Sequence, residues 1–216
     1  MPSVDYRFAA MLFARCMSLL ICLTNSLIVV GWFADVHILK DLIPGQSVIP
    51  ANCALGWAVA AAALFLLCTK IQMLRWCGLL LALLMTVTSV FTLYGGVVNQ
   101  DLDWLVIQSS VDAVPVEIPG QMLFQESVPF MLIGCSLLLV EARRRWFYRL
   151  AAIFAVLAML PAAQSLLGYA TGNSELFTFC TANECARLHI FLVVVNILFC
   201  LTLLVKPSEV KIVESN

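Results

Sequence analysis

Residues 119–145 read PGQMLFQESVPFMLIGCSLLLVEARRR, and the fold class follows from this stretch. A turn at Pro119 and Gly120 opens into a helical start carrying Gln121, Gln125, Glu126 and Pro129; a long apolar run from Phe130 to Val140 follows, and the stretch stops at Glu141 and three arginines. This is a membrane helix with a direction, because basic side chains beside a span resist translocation and mark its cytoplasmic end. The turn and the amides mark the opposite interface.

The composition agrees. In 216 residues, 62% are hydrophobic, 12% are charged and the mean hydropathy is +1.00. A soluble domain has apolar residues nearer half and charged ones nearer a quarter. The net charge of -1 becomes informative only when split by position, since the charges lie almost wholly between apolar runs of spanning length.

The expected fold is therefore an all-α integral membrane protein of six transmembrane helices over residues 1–205, with spans at about 8–34, 51–69, 76–98, 121–141, 146–170 and 188–205, and a short tail over 206–216. Each run is close to the roughly 20 residues that cross about 30 Å of hydrocarbon. The first is too long for a secretory signal and lacks a small-residue cleavage site, so it reads as an uncleaved span. With both termini cytoplasmic, ten of the twelve basic residues fall inside, leaving only Lys40 and Arg187 outside.

Arg15, Arg75 and Arg149 each open an outward helix, an outer loop follows, and a return helix begins near Pro50, Gly120 and Ala186. The chain thus reads as three parallel helical-hairpin repeats about an axis along the membrane normal. Each return helix carries hydrogen-bonding groups in its first turns: Asn52 in the second span, Gln125 and Glu126 in the fourth, and His189, with Arg187 just ahead of it, in the sixth. Ionisable groups at this depth are costly unless they face the bundle interior or a wet cavity, so these five are the candidate ligand-binding residues. The competing reading is capping, since Asn is a favoured N-cap and an acid near a helix N-terminus is stabilised by the macrodipole. Asn25, Ser26, Thr86, Thr88, Ser89, Gln164 and Asn196 lie within spans and read as hydrogen-bonding partners for neighbouring helices.

Seven of the nine cysteines fall within or at the ends of spans, where cysteine is usually a small apolar filler. Cys180 and Cys185 instead share a short outer loop, where an oxidising exterior permits a structural disulfide. The sequence holds no phosphate-binding glycine loop, no metal-ligand cluster, no histidine pair placed to ligate haem and no nucleophile with an evident base. No catalytic role, metal or cofactor is expected, and the short cytoplasmic turns offer no nucleic-acid surface.

The recurring pattern of a proline or glycine turn, Met, a polar residue and then a long apolar helix, repeated in degenerate form as IPANCALGW, PGQMLFQESVPF and ARLHIFLVV, resembles the multi-span sensor segments at the N-termini of bacterial histidine kinases and diguanylate cyclases. The resemblance covers about Ser47 to Val205, and its most specific part is Pro119 to Met122. Where that group usually has an Asn-Thr or His-Thr step, this chain has Asn52-Cys53, Glu126-Ser127 and His189-Ile190. The resemblance implies a bacterial inner-membrane location and a sensory or regulatory input module, responding to an outer-leaflet or periplasmic cue. No kinase or cyclase follows Val205, so the output is expected from an attached or partner signalling protein, with membrane lipid and a second copy of the chain as further partners. The alternative is a small transporter or an accessory subunit of a larger membrane complex. Transporters concentrate polar groups and broken helices near the bilayer midplane, whereas the polar set here lies at the outer edge.

Overall fold

A computed structural model describes residues 6–40, 49–98, 124–142, 145–173, 178–180, 185–187 and 190–205. In chain order the elements are α1 (Tyr6–Phe33), α2 (His37–Lys40), α3 (Ala51–Leu67), α4 (Gln72–Val98), α5 (Phe124–Val140), α6 (Arg145–Thr171), a ribbon of β1 (Thr178–Cys180) and β2 (Cys185–Arg187), and α7 (Ile190–Val205). The described residues form a helical fold, as expected, with this short antiparallel ribbon as the one addition among them.

Among the described residues three helices, not six, are long and apolar enough to cross a membrane: Phe8–Phe33, Gln72–Tyr94 and Trp146–Thr171. α3 and α5 have 17 residues and α7 has 16, about 25 Å of helix against about 30 Å of hydrocarbon. The expectation of six comparable spans is corrected on this point: the described lengths of these three helices fall short of the long ones. At α3 the limits are visible. Pro50 occupies the N-cap and has no N–H to continue the ladder backwards, while the Cys68 N–H bonds to both Leu64 and Phe65 carbonyls at 3.1 Å and tightens the last turn.

Packing places long and short helices alternately around a closed ring, α1–α3–α4–α5–α6–α7 and back to α1, with α3 also touching α5. The short helices take the inner positions. Ten of the seventeen residues of α3 are buried, against a third or fewer in the apolar windows of the long helices. The long helices bury narrow stripes with one rhythm: Ala14, Ser18, Ile21 and Asn25 on α1; Gly78, Ala82, Met85 and Ser89 on α4; Ala151, Ala155, Ala158 and Ala162 on α6. Spacings of four, three and four keep one helix face inward, and small side chains there let backbones approach closely, as in membrane bundles. Leucine, valine and phenylalanine cover the outward faces.

Two glycines show how tight the approach is. A Cβ added at Gly78 would meet the Ala63 carbonyl oxygen at 3.0 Å, and one added at Gly134 would collide with Thr86 Oγ1. Where α5 crosses α6, the Ser136 hydroxyl donates to the Ala151 carbonyl at 2.7 Å. The inner helices meet at an aromatic cluster in which the buried Trp57 ring lies 4.9 Å from Phe130 and 5.7 Å from Phe199, both tilted. Such geometries favour the ring edges over the faces and add to plain packing. One residue each from α3, α5 and α7 therefore centres the bundle.

Candidate functional site

The two ends of the bundle differ in chemistry. At the basic end, Arg15 on α1 donates Nε and Nη2 to the Cys68 carbonyl at 3.0 and 2.5 Å, satisfying an acceptor that the end of α3 leaves without an intrahelical donor. In the second hairpin the Arg75 guanidinium pairs with Glu141 just past the end of α5, Nε donating at 3.0 Å. Arg149, the matching residue on α6, is exposed. In two places, then, an arginine on a long helix holds the end of a short one.

The opposite end is built around Trp32 and Lys40. α1 stops when Asp35 turns into the left-handed region at φ 54, with Val36 N–H bonded to the Gly31 carbonyl at 2.9 Å. This is a Schellman closure with aspartate where glycine is usual, at a cost of about 1 kcal/mol. The Lys40 side chain is 1% exposed, pairs with the Asp35 carboxylate and sets its ammonium 5.1 Å over the Trp32 ring. Trp32 Nε1 donates to the Ile49 carbonyl at 2.9 Å, which ties the start of α3 to the end of α1. Charge pairing and the ring together offset the burial of the ammonium. Lys40 enters the sequence reading only as one of two basic residues against the orientation rule. That exception was the available signal.

Asn52 stands in the first turn of α3, but not as its cap. Pro50 holds the N-cap position with no side-chain bond, and Asn52 Oδ1 is buried with no hydrogen-bond partner among the described residues. The capping reading is thus not what the structure has at Asn52. A second acceptor of this kind is Asn25 Oδ1 on α1: the residue is fully buried, and its Nδ2 donates back to the Ile21 carbonyl at 2.9 Å. Interpolating between the Arg15–Cys68 and Trp32–Ile49 ties puts Asn25 level with Trp57, below Asn52. A buried acceptor without a donor costs about 1–3 kcal/mol, so the first hairpin holds two places where a donor would stabilise the bundle.

The other candidates stand differently. Gln125 and Glu126 lie on the first turn of α5, with Glu126 one turn ahead of Phe130, and Arg187 ends β2 opposite Thr178; their side chains, like the whole of His189, lie outside the described residues. So does any contact among these residues and Asn52. The β1–β2 register sets Cys180 opposite Cys185, with their side chains also outside the described residues, and the seven described cysteines are free thiols. Of the polar residues expected to bond across helices, Asn25, Ser89 and Asn196 are buried, but Ser89 bonds within its own helix to the Met85 carbonyl at 2.8 Å. Gln164 is exposed on the outer face of α6, contrary to its reading as a contact within the bundle. Comparison with protein-family models, curated proteins and solved structures returns no match to this chain.

Proposed function

We propose that the chain is a sensory or regulatory input module of the bacterial inner membrane, reading a cue at the end of the bundle that carries Asn52 and passing it to the basic, cytoplasmic end. The observation that carries this is the buried, unpartnered Asn52 Oδ1 at the mouth of the central helix. An acceptor kept there at a cost asks for a ligand with hydrogen-bond donors. Gln125, Glu126, Arg187 and His189 belong to the same site in this reading, because Phe130 of α5 and Phe199 of α7 both meet Trp57 of α3. All six apolar helices span, the three short ones at the modest cost of local bilayer thinning, and they form three hairpins of one pattern. Support for the repeat comes from the alternation of long and short helices and from the two arginine ties.

Donor-bearing headgroups are the probe. In nanodiscs, phosphatidylethanolamine or phosphatidylglycerol is expected to raise Tm above that in phosphatidylcholine, which has no donor, and Asn52→Leu should abolish the difference. If Asn52 serves no ligand, leucine removes an unpaired carbonyl and stabilises the protein equally in every lipid; that result would sink the reading. The same assay on Glu126→Gln, His189→Gln and the double variant tests convergence, which strictly additive losses would remove.

Topology and the outer ribbon are tested together by thiol labelling. In intact cells an impermeant maleimide is expected to reach cysteines introduced at Asp103 and Glu175 but not at Arg144 or Glu209. In the reading of an oxidising exterior that bridges the outer loop, Cys180 and Cys185 should alkylate in denatured protein only after reduction. Labelling at Arg144 would reverse the orientation, and equal alkylation without reductant would remove the bridge.

A further inference from the structure

The outer face of α6 carries a heptad seam: Ile153, Leu157, Leu160, Gln164, Leu167 and Thr171, spaced four, three, four, three and four. Ile153, Leu157, Leu160 and Leu167 are 54%, 42%, 55% and 58% exposed, and Gln164 and Thr171 are exposed as well. α4 presents the same spacing with Trp76, Leu80, Leu83, Val87, Val90 and Tyr94, all exposed and none with an amide or a charge. Lipid suffices for that face, since acyl chains are as apolar as leucine. Gln164 is the exception on these two faces: an exposed amide seven residues from the end of α6, about 10 Å in from that end, where Val87 occupies the matching place on α4.

We infer that this face of α6 binds the same face of a second copy of the chain, with Gln164 meeting Gln164 across a two-fold axis along the membrane normal. The amide identifies the occupant. A primary amide both donates and accepts, so it is complementary to itself, and two copies inserted in one orientation bring their glutamines to the same depth. A polar residue inside an apolar heptad seam sets register and parallel pairing in coiled coils, and Gln164 is the one inside this seam, since Thr171 stands at the helix end with its hydroxyl bonded back to the Leu167 carbonyl. Ala163 and Ala170 flank the seam and allow close approach. The interface does not depend on the input role proposed above and stands or falls separately.

The test is energy transfer between full-length chains carrying donor or acceptor fluorophores at the C-terminus, reconstituted in vesicles over a range of dilution. Wild type is expected to self-associate, Gln164→Leu to weaken association about tenfold, and Gln164→Asn to retain most of it. Val87→Leu on α4 should leave it unchanged. Gln164→Leu adds an apolar residue to an exposed apolar face, so failure to fold is not the expected confounder; Tm measured alongside checks this. Wild type that stays monomeric, as it would if a different protein covers α6, overturns the inference. So does association that Gln164→Leu leaves intact or that Val87→Leu weakens equally.

Discussion

Replacing Trp57 with alanine is expected to destabilise the protein by about 3–5 kcal/mol, a drop in Tm on the order of 10 °C. Trp57 is 3% exposed and contacts Phe130 and Phe199, which are 1% and 0% exposed. Truncation would leave a ring-sized void where α3, α5 and α7 meet, walled by rigid neighbours that cannot all relax into it. The loss is of packing and not of hydrophobic transfer, because a tryptophan leaving this core enters lipid and not water. Trp76 is the control: it is 63% exposed on α4, and alanine there should cost no more than about 0.5 kcal/mol. Thermal unfolding of both variants in one lipid decides the matter. Equal losses would mean that the aromatic centre does not hold the inner helices together.

The second large effect is expected at the α4–α5 contact. A methyl group at Gly134 falls on Thr86 Oγ1 and 3.2 Å from both Thr86 Cβ and the Ala82 carbonyl oxygen. Thr86 cannot swing away freely, since its hydroxyl donates to the Ala82 carbonyl at 2.8 Å and its branched Cβ would bring the methyl into the same space. Gly134→Ala should therefore cost about 1–3 kcal/mol. Thr86→Ala alone should cost less than about 1 kcal/mol, and in the double variant most of the Gly134→Ala loss should disappear. Favourable coupling of this kind, measured by a double-mutant cycle on Tm, is the signature of one shared contact. Strict additivity would show that the two residues do not share it.

What the sequence by itself determined is where the helices lie and which ends carry charge. Apolar runs and their basic flanks are local properties, readable residue by residue, and Arg15 and Arg75 mark the end at which they are found binding Cys68 and Glu141. The helix limits also have a local cause at Pro50, although hydropathy alone ran past Leu67 at the other end of α3. The rest depended on helical phase. In a chain apolar on all sides, lipid and core present side chains with the same solvent, so the hydrophobic pattern cannot tell the inward face from the outward one. Only the tertiary structure could decide that α3, α5 and α7 form the inside, that Trp57 faces Phe130 and Phe199, that Asn25 points inward while Gln164 points outward, and that Asn52 is an unpaired acceptor and not a cap. Lys40 belongs with these, because the ring and carboxylate that make its burial tolerable are brought to it by the turn at Asp35.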